Sequence, residues 1–173
     1  YFDCVVMLTW SDWETEPRSN RYHYATRFAR TVPTLFVQNQ QPISPGIVAS
    51  QSKISNLDLI NVNAPIRQQE VEAIIDLLRS RGLSRPLIWI YDSINYDRLL
   101  SAMPKWLRIY HATEDYFTIS DAMQTVSKVS NSVRKLLDSI DLVVAVSDSV
   151  LSNLISACKY EGESIVAENA CDF

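Results

Sequence analysis

The chain has 173 residues, 47% of them apolar, which is one domain's length with enough apolar mass for an ordinary core. A formal net charge of −4 argues against a general nucleic-acid binder. The three cysteines, Cys4, Cys158 and Cys171, are odd in number and lack paired spacing, which excludes a disulfide framework or zinc site and suggests reduced thiols in the cytoplasm.

No apolar run approaches the roughly 20 residues of a membrane span, and there is no signal-peptide pattern. The sequence opens at Tyr1 with strand-like residues almost at once, which reads as a chain trimmed at its ends.

Residues 3–9 (DCVVMLT) are short, apolar and β-branched, and predict a buried strand. Residues 19–31 predict a helix, with Tyr22, Ala25, Phe28 and Ala29 on one face. Residues 34–38 (TLFVQ), entered through Pro33, predict a second strand. A Pro/Gln/Ser-rich loop follows, and 57–62 (LDLINV) reads as a strand able to pair with 46–49. Val71, Ile74, Ile75 and Leu78 match the i, i+3, i+4, i+7 pattern of a helix over 67–81, with Gly82 as its C-terminal cap. Residues 86–91 (PLIWIY) predict an apolar strand, 96–103 a short helix and 107–112 (LRIYHA) a strand. Val126, Val129, Val133, Leu136 and Leu137 mark a long helix over about 121–138. Residues 142–147 predict a strand, 148–159 a helix and 164–167 a last short strand.

Strands separated by helices imply right-handed βαβ units, and hence an α/β fold with a mainly parallel sheet covered by helices on both faces. Ligands of such sheets bind beyond the carboxyl ends of the strands. That rule singles out Trp10, Ser11, Asp12 and Trp13; Asn39; Asn63; Asp92; Thr113, Glu114 and Asp115; Ser147 and Asp148; and Glu168 to Asp172. Gly46, Gly82 and Gly162 are the only glycines, where ordinary usage of about 7% would give about a dozen. They can write neither GxGxxG nor GxxxxGK[ST], which excludes an NAD-binding dehydrogenase and a P-loop NTPase. No His/Cys cluster has metal-ligand spacing, and no GxSxG elbow is present.

Four strings resemble the N-terminal Rossmann-like domain of GT-B glycosyltransferases, most closely bacterial enzymes of exopolysaccharide, cell-wall or lipid-linked oligosaccharide synthesis. "LTWSDWETEPRSNRYHYATRFARTVPTLFVQ" resembles their opening strand, acidic-aromatic turn, Arg/His-bearing helix and second strand. "PLIWIYDSINYDRLL" resembles the strand before their acceptor loop, and "LRIYHATEDYF" a strand ending in an acidic or His residue followed by an aromatic. "DLVVAVSDSVLSNL" with "IVAENACDF" resembles the segment leading to the domain junction, with Asn169 and Asp172 at the hinge and Ala170 where glycine is usual.

The resemblance implies that residues 1–173 are one three-layer Rossmann-like domain, half of a GT-B enzyme. A C-terminal nucleotide-sugar-binding domain would lie outside this chain, and the fragment alone would be inactive. The implied reaction moves a sugar from a nucleotide-sugar co-substrate, without cofactor or metal, to a saccharide or lipid-linked acceptor in surface polysaccharide synthesis. The implied partners are that acceptor, the chain's own C-terminal domain and the inner membrane face as a peripheral contact, with no nucleic acid. The alternative is a non-enzymatic α/β binding or regulatory module. A receiver domain needs paired acids after its first strand, and Asp12 alone matches this poorly.

Transfer to a sugar hydroxyl calls for a group that removes its proton. Asp115, followed by Tyr116, is the first choice and Glu114 the second; either residue also suits the start of a helix. Asp12 and Trp13 fit a carboxylate and an aromatic ring meeting a sugar, or equally a side-chain-closed turn with Trp13 packed at the core edge. Arg18, Arg21 and His23, with Arg27 and Arg30, make residues 18–30 basic. Arg18 and Arg21, near the strand end, fit contact with a phosphate or an anionic membrane surface, while Arg27 and Arg30 fit a solvated face. Asp92, Ser93 and Asn95 fit a cleft wall, but a turn and helix cap more readily. His111, Trp89 and Trp106 read as core.

Overall fold

The computed structural model describes residues 1–15, 19–40, 48–103, 106–117 and 124–168. It divides into two compact units, Tyr1–Leu107 and Arg108–Phe173.

The first unit is built on strands β1 (Cys4–Leu8), β2 (Thr34–Gln38), β3 (Val48–Gln51), β4 (Leu57–Asn61) and β5 (Pro86–Ile90), in the spatial order β3-β4-β2-β1-β5. β1 pairs in parallel with β2 on one side and β5 on the other, and β2 with β4. β3 runs antiparallel on β4, with Ala49 opposite Ile60. Every residue of β1, β2 and β5 is buried, as expected of parallel strands covered on both faces. Pro86 fits because it opens its strand, where a missing N–H costs no internal ladder bond.

Helix α1 (Asn20–Ala29) crosses from β1 to β2. Ser19 caps it: its Oγ accepts the Tyr22 N–H at 3.2 Å. Ala25 and Ala29 are buried. Tyr24 and Phe28 set their rings 4.9 and 5.2 Å from that of Trp89 on β5, so Trp89 is core, as expected. Helix α2 (Gln68–Ser80) buries Val71, Ile74 and Leu78. Gly82 ends it with φ +69°. The Gly82 N–H donates to the Arg79 carbonyl and the Leu83 N–H to Leu78, the two bonds of a Schellman turn. Helix α3 (Asp97–Ala102) is short.

The second unit holds β6 (Arg108–Ala112), β7 (Leu142–Ala145) and β8 (Ser164–Val166), parallel and in that order, with α4 (Gln124–Leu137) and α5 (Asp148–Cys158) as crossovers. α4 buries Val133, Leu136 and Leu137. Ser147 caps α5 by accepting the Val150 N–H, and Lys159 ends it in the left-handed region at φ 51°. His111 is buried on β6. Trp106, expected in the core, is only half-buried: it lies in the connector ahead of β6, not on the strand.

The α/β, mainly parallel, Rossmann-like expectation thus holds, with strand bounds within two residues of those read from periodicity. One element escaped it, a single 3₁₀ turn at Trp13–Thr15. Cys4 and Cys158 are free thiols, and burial pushes the Cys4 thiol up to about 12. No helix among the described residues is long and apolar enough to cross a membrane.

Candidate functional site

The parallel strands of the first unit all end on one side, and their exits carry a connected set of polar side chains. At the end of β2 the Gln38 side chain is held at both atoms. Its Oε1 accepts the Trp13 N–H at 2.7 Å, and its Nε2 donates to Asn61 Oδ1 at 2.6 Å, at the end of β4. Next to it, Asn39 donates from Nδ2 to Asp92 Oδ2 at 3.1 Å, after β5. The fully buried Tyr96 hydroxyl donates to the Thr9 carbonyl at 2.7 Å and lies 3.0 Å from Asn39 Oδ1. Burial first, then the nearby Asp92 carboxylate, pushes the Tyr96 phenol well above its ordinary range. Four strand exits are thereby tied into one polar rim.

Asp92 is the centre of that rim. Its Oδ1 accepts the N–H groups of Ile94 and Asn95 at 2.8 and 3.1 Å, and its Oδ2 accepts the side-chain amides of Asn95 and Asn39. With four donors and 3% exposure it closes a turn. The helix-cap reading fails in detail, because the residue capping α3 is Tyr96. A second buried carboxylate, Glu70, binds the Arg67 N–H at 2.8 Å and both the backbone and side-chain N–H of Asn63, fastening the end of β4 to the start of α2.

The first turn takes the local form that the sequence left as one of two options. Asp12 Oδ1 accepts the Glu14 N–H at 3.0 Å, an Asx turn that closes the 3₁₀ segment. Trp13 stacks on Tyr22 at 4.9 Å and makes a T-shaped contact with Phe36 at 5.1 Å, which joins the turn to α1 and β2. Arg21, in the first turn of α1, sets its guanidinium 5.0 Å from the Trp10 ring and 5.7 Å from the Tyr91 ring, at the exits of β1 and β5. His23 meets Tyr22 edge to face at 5.8 Å, while Arg27 and Arg30 are exposed. Arg18 lies outside the described residues, as do Asn169, Ala170 and Asp172.

In the second unit the candidates follow β6. Asp115 is half-buried; its Oδ1 accepts the Phe117 N–H at 3.0 Å and its Oδ2 the Asn153 side-chain amide of α5 at 2.7 Å. Glu114 beside it is exposed. Arg134 of α4 lies 5.4 Å from the Phe117 ring. Among the described residues no group of three His, Cys, Asp or Glu converges as metal ligands.

The sequence placed Asp12, Trp13, Asp92, Glu114 and Asp115 at strand exits, and there they stand; Arg21, expected near a strand end, lies in the first turn of α1. It did not single out Gln38, Tyr96, Glu70 or Asn153. Only Tyr96 had a local hint, the Asp92-Ser93-Ile94-Asn95 turn just before it.

No protein-family model matches this sequence, and no curated protein matches it. Solved structures do. Sucrose-phosphate synthase from Thermosynechococcus elongatus superposes with a TM-score of 0.63 at 14% identity, over 96% of this chain and 48% of that one. A shorter form of the same enzyme gives 0.54 at 12% identity, over 98% of this chain and 89% of that one. A trehalose-6-phosphate structure from E. coli, bound with UDP-2-fluoro glucose, gives 0.58 at 8% identity, over 98% and 49%. The chain therefore spans about half the length of the two longer neighbours. At such identities the likeness is one of fold.

Proposed function

We propose that this chain is the acceptor-side domain of a GT-B glycosyltransferase that moves a sugar from a nucleotide-sugar donor to a saccharide or lipid-linked acceptor, in surface polysaccharide synthesis as the sequence resemblance implies. A second domain of the full-length protein would carry most of the donor site. The observation that carries this is the agreement of fold, over 96% or more of the chain, with the sugar-transferring neighbours. The bulky, glycine-free first turn suits it, since a turn filled by Trp13 and Tyr22 is not needed to cradle a pyrophosphate.

In an inverting transfer the acceptor oxygen forms a bond to the anomeric carbon, the bond to the nucleotide diphosphate breaks, and the diphosphate leaves with the electron pair. The acceptor's hydroxyl proton passes to a carboxylate. Asp115 is our choice for that base and Glu114 the second. The two hydrogen bonds on Asp115 fix its direction, whereas Glu114 projects into solvent. Arg21, with Arg18 and His23 on the same basic segment, would meet the phosphate of a lipid-linked acceptor or an anionic membrane surface. Asp12, Trp13 and Asp92 would support the wall behind it.

Incubating the full-length protein with a panel of nucleotide sugars, and reading the product's anomeric configuration by NMR, tests the reading. Acceptor-dependent release of nucleotide supports it, and failure to bind or turn over any nucleotide sugar refutes it. Sedimentation with vesicles of graded anionic lipid tests the membrane arm: indifference to lipid charge removes it.

A further inference from the structure

We infer that the indole of Trp10 is the platform on which a pyranose ring of the acceptor stacks, with the Ser11 hydroxyl as polar partner to one of its ring hydroxyls. This rests on the acceptor-side reading above, and it moves the sugar contact from Trp13 to its neighbour.

Trp13 is engaged within the fold: one side stacks on Tyr22, the ring makes a T-shaped contact with Phe36, and the residue is half-buried. Trp10 is in the opposite situation. It follows β1, which lies between β2 and β5, so it stands at the carboxyl end of an inner strand, where this class of sheet binds ligands. It is 37% exposed, the most open tryptophan among the described residues. A large aromatic left open at such a place forgoes burial that the fold could have supplied.

Trp10 is also held still. The Arg21 guanidinium lies 5.0 Å from its ring centre and 5.7 Å from that of Tyr91, a cation-π clamp that fixes the indole before any ligand arrives. A rigid aromatic with two side-chain torsions loses little freedom on binding. The C–H face of a pyranose is apolar and suits an aromatic face.

The second observation is independent of the first. Ser11 is 6% exposed, and its Oγ has no hydrogen-bond partner among the described residues. A buried hydroxyl without a partner calls for one, and a ring hydroxyl of a sugar seated on Trp10 can both donate and accept. Stacking surface and orphan hydroxyl are adjacent in sequence at one strand exit, beside the Tyr96–Asn39–Asp92 rim that keeps that exit rigid.

The probes are the methyl glycosides of glucose, galactose and mannose, titrated into the ¹⁵N-labelled protein while the indole N–H signals are followed, each assigned by Trp→Phe substitution. We expect the Trp10 signal to move with at least one glycoside while that of Trp13 stays in place. Trp10→Ala should weaken that binding about tenfold, and Ser11→Ala should weaken it while leaving the Trp10 stacking shift visible. A Trp10 signal unmoved by all three glycosides, or undiminished binding in a folded Trp10→Ala, overturns the inference. The enzymatic reading fails separately. If Trp10 binds sugar but the full-length protein turns over no nucleotide sugar, the platform stands and the transferase does not. If turnover occurs and Trp10→Ala leaves the acceptor KM unchanged, the transferase stands and the platform does not.

Discussion

The Tyr96 hydroxyl donates to the carbonyl of Thr9 at 2.7 Å, across 87 residues of sequence. That bond fastens the turn after β5 to the exit of β1, and Asn39, on the same hydroxyl, brings in β2. Removing the hydroxyl with Tyr96→Phe leaves the Thr9 carbonyl and Asn39 short of a buried partner. Urea unfolding should show a loss of about 1–3 kcal/mol.

The same residue predicts a pH effect. A tyrosine in the unfolded chain titrates near pH 10, whereas burial pushes Tyr96 well above that when folded. Below about pH 10 both states keep the proton and Tyr96 adds no slope. As pH rises further, only the unfolded state releases it, so stability falls with pH until the folded phenol itself titrates. Tyr24 and Tyr160 shift in the same direction, so Tyr96→Phe should reduce the alkaline loss of stability without abolishing it. Unfolding midpoints measured from pH 8 upward test this; an unchanged slope would count against a buried, protonated Tyr96.

Asp92 accepts four hydrogen bonds, from the Ile94 and Asn95 N–H groups and from the side-chain amides of Asn39 and Asn95. Asp92→Ala should cost about 2–4 kcal/mol, from several donors left short at once. Asp92→Asn, which keeps one acceptor oxygen, should cost about half as much. Chemical denaturation of the two variants gives the ratio directly.

Trp13 separates packing from recognition. Its contacts with Tyr22 and Phe36 make Trp13→Ala a large-to-small change at the core edge, with an expected loss of about 2–4 kcal/mol. Trp13→Phe should recover most of that stability. If Trp13→Ala is as stable as the parent by calorimetry, the packing account of this turn is wrong.

Asp115 is the residue on which the catalytic proposal turns. In the full-length protein, Asp115→Asn should lower kcat by a factor of about 10² to 10⁴, the usual worth of a general base, with the far-UV spectrum unchanged. Asn153→Leu removes the amide that orients the carboxylate and should lower kcat more than it raises KM. Full activity in Asp115→Asn removes it from the role.

Much of this fold was legible in the linear sequence because its local signals agree with one another. The runs CVVML and PLIWI contain no polar residue to set a period, and only strands covered on both faces tolerate that. Val71, Ile74 and Leu78 repeat at helical spacing and are all buried, and Gly82 ends their helix in a backbone conformation disfavoured for other residues. Alternation of such strands with helices decides the parallel order, and with it the strand exits where Asp12, Asp92 and Asp115 stand.

What those side chains do at the exits was decided by tertiary structure. Whether Trp10 or Trp13 faces solvent depends on where Tyr22 and Phe36 arrive, and both come from elements formed later in the chain. Nothing near Tyr96 in sequence announces that its hydroxyl reaches Thr9, and nothing near Asp115 names Asn153. Backbone periodicity is a local property set by sterics and by the alternation of apolar and polar residues, so a single sequence carries it. Hydrogen bonds across a strand edge join residues that only the assembled sheet brings within 3 Å, so their partners are settled by folding.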